Sequence, residues 1–309
     1  MGRLPNKNKK RASMNKKSHQ KLSSSSAKKP TGPQKASRLK RPASARTAQK
    51  RSARPSRASK KPQKLTGENI IIAMGDVHAE YIVFEQLLTR IEKTYDLKTV
   101  RLILQELTDR GLDSQKTIAI AREFQKLYPD TLTIIQSNHD YANATGEYFE
   151  LYTARAACLD YADGRITKED EAFLLSFPKY YESRAFFFIH GGLPHGYSHP
   201  KDVPLDELVW KYGTDRSYQG EKRVVMGHTV VSDVQIRPKE IYIDTGATYD
   251  RVGKLSAVVL DDATGEVKDI ISLRNESLFD TKLREATLSR RLEILKKFYP
   301  RHWEEYNYE

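Results

Sequence analysis

Cysteine is almost absent from this chain: Cys158 is the only one in 309 residues. That excludes an internal disulfide and any cysteine-based zinc site within one chain, and the expected state of Cys158 is a buried free thiol. No stretch approaches the ~20 consecutive apolar residues that a membrane span needs, so no membrane partner is expected. The first residues lack the apolar core of a signal peptide, and Asn6 stands where N-myristoylation would need Ser or Thr. The expectation is a cytoplasmic protein, with nuclear or nucleoid association allowed by the charge pattern described next.

Acidic residues are missing from residues 1–66, which hold 22 Lys or Arg and no Asp or Glu, whereas the rest of the chain holds 31 basic against 40 acidic side chains. Large apolar residues are nearly missing there too. A segment of Lys, Arg, Ser, Ala and Pro cannot offset its ordering entropy, so 1–66 is expected to be a disordered tail. Its charge density suits nucleic acid or another polyanion through counterion release, without base stacking, because no Phe, Tyr or Trp interrupts it. A solubilising extension is the plainer alternative. An organelle-targeting segment fits less well, because "MGRLPNKNKKRASMNKK" has too few apolar residues for an amphipathic helix.

From Glu68 onward the texture changes. "NIIIAM" (69–74), "VRLIL" (100–104), "TLTII" (131–135), "AFFFI" (185–189), "RVVM" (223–226), "IYI" (241–243) and "SAVVL" (256–260) predict strands. Residues 80–93, 115–127 and 281–298 carry apolar positions at helical spacing. The pattern predicts an α/β domain over 67–275 whose sheets are covered by helices. Residues 276–309 are expected to form a helical extension packed on it by a Leu and Phe stripe.

Polar residues follow five of these runs. They are Gly75-Asp76-Val77-His78, Glu106-x-x-Asp109-Arg110-Gly111, Ser137-Asn138-His139-Asp140, His190-Gly191-Gly192 and Gly227-His228-Thr229. One Asp or His after a strand is usually a turn residue or a cap, but five in succession place oxygen and imidazole donors where open α/β sheets form their ligand crevice. That donor set suits Mn²⁺, Zn²⁺ or Fe²⁺, and its surplus over one ion suits a two-metal site.

The ordered motifs, together with "IDTGA" (243–247) and "LSAVVL" (255–260), resemble the calcineurin-like metallophosphoesterase superfamily over about residues 69–270. The similarity is to its phosphoprotein phosphatase branch, with small bacterial and phage members that include diadenosine tetraphosphatases. The resemblance implies a sandwich of two β-sheets flanked by helices. It implies two divalent ions, Mn²⁺ first with Fe²⁺, Zn²⁺ or Ni²⁺ as alternatives. Asp76 and His78 would hold one ion, Asn138, His190 and His228 the other, and Glu106 would bridge them. His139 would be the general acid, oriented by Asp109, and Arg110 would hold phosphate oxygens. The implied substrate is a phosphorylated Ser/Thr protein, a dinucleoside polyphosphate or a small phosphoester.

The chain departs from this pattern in several letters. Gln105-Glu106 replaces Gly-Asp, so the bridging carboxylate gains a methylene and its backbone must retreat or its side chain fold. Ala79 and Ser137 stand where Gly is usual, at places that often need positive φ or close approach. An arginine expected after "LVW" is replaced by Lys211 and Tyr212, leaving Arg216 or Arg223 as substitutes. These departures leave two readings open: a metallophosphatase, favoured by retention of His139, Asp109 and all six ligand residues, or a catalytically weakened phosphatase fold that binds or scaffolds. For Trp210 and the terminal "FYPRHWEEYNYE", core packing is the default expectation.

Overall fold

An apolar run with large side chains at every position forms a strand only if something packs on both of its faces. The computed structural model describes residues 64–146, 166–249, 251 and 253–298, which belong to one compact unit, 60–309. Each of the seven predicted runs is a strand within it. The tail up to residue 63, Cys158 and the aromatic residues beyond 298 lie outside the described residues.

The strands build two five-stranded sheets. In the first, β1 (Ile70–Met74), β2 (Arg101–Gln105) and β3 (Leu132–Ile135) run parallel, with Ile72 opposite Leu102 and Leu104 opposite Ile134. β9 (Lys254–Asp261) joins β1 antiparallel, and β10 (Glu266–Arg274) joins β9. In the second, β5 (Phe186–Ile189), β6 (Arg223–Met226) and β8 (Glu240–Tyr242) run parallel between the short edge strands β4 (Tyr181–Glu182) and β7 (Gln235–Ile236).

Period-two alternation divides the core into three layers. Ile71, Ala73, Ile103, Val258 and Leu260 of the first sheet meet Phe186, Phe188, Val225 and Ile241 of the second in a shared interior. The opposite face of the first sheet, including Ile72, Met74, Leu102 and Leu104, packs on α1 (Tyr81–Thr94) and α2 (Ser114–Leu127). Val83, Phe84, Leu87, Leu88 and Ile91 give α1 its buried stripe. The outer face of the second sheet, Val224, Met226 and Tyr242, packs on Leu208 of α5 (Leu205–Trp210). This is the predicted α/β sandwich of two sheets flanked by helices.

Several elements carry no apolar run and were not expected. β10, "EVKDIISLR", is mostly exposed on an edge, and charges on an edge strand discourage pairing with another chain. α3 (Asn138–Thr145) begins inside a polar motif, capped by the Ser137 side chain on the Asp140 N–H and ended by Gly146 at φ 75°. α4 (Lys168–Leu175) begins with a reciprocal capping box between Thr167 and Asp170.

The last helix, α6 (Thr281–Phe298), keeps Leu283, Leu292 and Ile294 half-buried. Leu288 is 43% exposed, and arginines supply polar contacts. Arg284 forms a bidentate pair with the fully buried Glu80 at 2.8 and 3.0 Å. Arg290 donates to Asp113 at 2.7 Å and to the Leu112 carbonyl, and Arg291 donates to the Gly111 carbonyl. The helix thus fastens the loop between β2 and α2.

Candidate metal centre

All six parallel strands end on one rim, and the loops that leave them interlock. The Asp76 carboxylate after β1 accepts from the His228 N–H after β6 at 2.8 Å. His78 and Val77 donate their N–H groups to the Glu106 carbonyl after β2. Asp140 in α3 accepts from Leu107 N, Thr108 N and the Thr108 hydroxyl, fixing the β2 loop against the β3 loop. A Cβ on Gly227 would lie 1.9 Å from Asp76 Oδ1, so only glycine lets β6 come this close.

The backbone is strained here. Among the described residues, the non-glycine positions with positive φ are His78, Ala79, Glu106, Asp109, Arg110 and His228, and every one lies in these loops. Such conformations cost on the order of 1 kcal/mol or more each and gather at functional sites. The two missing glycines have different consequences. Ala79 sits at φ 57°, where a glycine would be at ease, while Ser137 is extended at φ −125° and uses its hydroxyl as a helix cap.

Asp76, His78, Glu106, Asn138, His190, His139 and Asp109 are all at most 2% exposed and lie together, with His228 and Arg110 half-buried beside them. Glu106 stands at the centre. Its φ is positive, its Oε2 lies 2.8 Å from His190 Nε2 and 3.7 Å from His78 Nε2, and its Oε1 accepts from the His139 N–H at 3.1 Å. Two groups of donors able to hold a metal ion share it: His78, Glu106 and His139, and Glu106, His190 and His228. Asn138 Oδ1 adds a contact of 2.7 Å to His190 Nε2.

The donor set fits divalent ions on three grounds. Asp76 Oδ1 and His228 Nε2 are buried without a hydrogen-bond partner among the described residues, a costly arrangement unless a ligand engages them. His190 Nε2 lies 2.8 Å from Glu106 Oε2 and 2.7 Å from Asn138 Oδ1, so three atoms able to give a lone pair to an ion converge. The other nitrogen of each histidine meets an acceptor, as metal-binding imidazoles require: His78 Nδ1 the Thr108 carbonyl at 3.2 Å, His190 Nδ1 the Gln105 amide oxygen at 3.3 Å, and His228 the Trp210 backbone.

Electrostatics act in the same direction. Burial, then the Arg110 guanidinium, pushes the His78 pKa down to about 3, and burial with the neighbouring His190 lowers His228 to about 4. Both rings are neutral at physiological pH, the form that binds metal. Burial and the charges of Asp244 and Glu106 hold Asp76 well above the usual carboxylate range, and burial raises Asp244 to about 6. A cluster of buried carboxylates that repel one another is relieved by a cation.

His139 is set apart by its partner. Its Nδ1 meets Asp109 Oδ2 at 3.0 Å, and the other oxygen of Asp109 accepts from Asn143 at 2.9 Å, one helical turn along α3. Burial keeps its pKa well below 6.5 against the pull of the Glu106 charge. Arg110 Nη1 lies 2.9 Å from His78 Nε2.

Of the substitutes for the missing arginine, Arg223 opens β6 at the end away from the rim and binds the Gly265 and Arg237 carbonyls, which removes it from the site. Arg216 lines a separate hollow with Arg237 and Lys239. The Tyr212 ring, 71% exposed, tilts over His228 at 4.5 Å, and Trp210 is half-buried with its ring edge-on to His228, so it belongs to the rim of the site.

Gln105, Asp140, Asn143 and Asp244 were not foreseen as site residues. Asp244 could have been found as the carboxylate after a sixth strand, inside "IDTGA".

No protein-family model matches the chain. Among solved structures it is similar to a protein provisionally assigned as a diadenosine tetraphosphatase, at 21% identity and a TM-score of 0.51, over 68% of this chain and 96% of that one. It is also similar to a protein serine/threonine phosphatase from Saccharomyces cerevisiae described as similar to human phosphatase PP5. That likeness has 16% identity and a TM-score of 0.51, over 67% of this chain and 80% of that one. The likeness is one of fold, a sandwich of two β-sheets flanked by helices.

Proposed function

We propose that the protein is a metal-dependent hydrolase of phosphate esters. The observation that carries this reading is Glu106, whose carboxylate lies between two histidine clusters with the His139–Asp109 pair beside it. Asp76, His78 and Glu106 would hold one divalent ion, Mn²⁺ being first choice, and Glu106, Asn138, His190 and His228 a second. Two ions bound there supply Lewis-acid polarisation of the phosphoryl oxygens and activate a water nucleophile near neutral pH.

The chain supplies the rest. Asp109 orients the His139 ring through Nδ1 and favours its protonated form, so Nε2 is the nitrogen that delivers a proton to the leaving oxygen. An incoming phosphate dianion also favours the imidazolium, opposing the burial that lowers His139. Arg110, half-buried at the edge of the cluster, is placed to take phosphate oxygens. Phosphoserine or phosphothreonine proteins and dinucleoside polyphosphates are the substrate classes to try first, given the two similar structures. The basic residues of 1–66 would bring the domain to nucleic acid or another polyanion.

The rival reading, a phosphatase fold that binds without turnover, is favoured by the Gln105-Glu106 pair and by Arg110 engaging His78 Nε2. Phosphate release from a generic aryl phosphate with and without Mn²⁺ separates the two. The proposed function predicts metal-dependent turnover that falls about 10²–10⁴-fold in His139→Ala. Mn²⁺ binding with no turnover above that variant would establish the rival.

A further inference from the structure

Gln105 occupies a position where the similar family carries glycine, and its side chain is not idle. It is the last residue of β2, on the face that Ile103 turns toward the interior between the sheets, and it is 2% exposed. Its amide oxygen lies 3.3 Å from His190 Nδ1, across 85 residues of chain. The opposite nitrogen of that ring, Nε2, is the one beside Glu106 Oε2 and Asn138 Oδ1 at 2.8 and 2.7 Å.

The three ligand histidines share one plan. A backbone group meets the outer nitrogen of His78 and of His228, whereas His190 depends on a side chain. An imidazole whose Nδ1 carries the proton leaves its lone pair on Nε2, the form that an acceptor at Nδ1 and a cation at Nε2 favour together. A glycine at 105 offers no such acceptor.

We propose that Gln105 is a positioning residue for the second metal ion. It accepts the Nδ1–H of His190 and so turns the Nε2 lone pair toward Glu106 and Asn138. The inference rests on the proposed metal centre but not on turnover. The Gln-Glu pair then acts as a unit, one residue bridging the ions and its neighbour fixing the histidine across the sandwich.

The test uses the full chain, with Mn²⁺ as the probe, in wild type, Gln105→Leu, Gln105→Met and Gln105→Glu. Long-range ¹H–¹⁵N spectra of the histidine rings at one fixed concentration of Zn²⁺, a diamagnetic stand-in for Mn²⁺, report the His190 tautomer, with His190→Gln for assignment. Calorimetric titration reports Mn²⁺ affinity. The expected result is the Nδ1–H tautomer in wild type and in Gln105→Glu. A mixed tautomer in Gln105→Leu and Gln105→Met should accompany a loss of about 10–100-fold in affinity for one of two ions. Unchanged tautomer and affinity in whichever apolar variant folds would overturn the inference while leaving the metal centre standing. Failure of the wild-type protein to bind Mn²⁺ would remove the centre and this inference with it.

Discussion

A single side chain, Glu106, turns two clusters into one site. Its positive φ of 48° and its interior carboxylate accommodate the extra methylene that the sequence alone made a difficulty. Glu106→Gln, nearly isosteric but uncharged, is expected to reduce Mn²⁺ stoichiometry from two to one or less, read by calorimetry. Two equivalents bound by that variant would show that the carboxylate is no bridge. The glycine replacements give a second test. Ala79 adopts a left-handed conformation and Ser137 does not, although the sequence presents them as the same kind of departure. Ala79→Gly should stabilise the fold by about 1 kcal/mol, and Ser137→Gly should cost a few tenths through the weakened cap, both by urea unfolding in chelator. The opposite order would contradict the backbone described here.

At the level of elements, the strands were legible because each apolar run is buried on both faces, and their polar endings were legible because the parallel strands share a rim. Elements without such a run were not. β10 hides behind alternating charge on an edge, and α3 begins with the ligand motif itself. Nor could the sequence show Gln105 as a partner of His190, since only the stacking of two sheets brings the end of β2 beneath the end of β5. α6 was visible as a helix, but its attachment through arginines was not. Arg284 pairs with a fully buried carboxylate. Arg284→Ala, which leaves the buried Glu80 charge with only the Ser277 hydroxyl, should cost about 3–5 kcal/mol in urea unfolding, and Glu80→Leu with Arg284→Leu should recover much of it. Equal losses in the single and double variants would mean that the pair is not what holds the helix.

For the whole molecule, composition separated a basic segment from an acidic remainder, and that contrast suggests two independent tasks. Deleting residues 1–63 should abolish the proposed binding to DNA, together with its loss of about 0.9 log units of affinity per tenfold rise in salt for each phosphate neutralised, and leave hydrolysis of a small phosphoester unchanged. A large fall in turnover would assign those residues to the catalytic site. At the sandwich rim, loops from both sheets deliver donors around Glu106. The most direct measurement is anomalous X-ray scattering from a Mn²⁺-loaded crystal. Two ions about 3.5–4 Å apart, one held by Asp76 and His78 and the other by Asn138, His190 and His228, with Glu106 between them, is the predicted result. A single ion, or none, at saturating Mn²⁺ would contradict it.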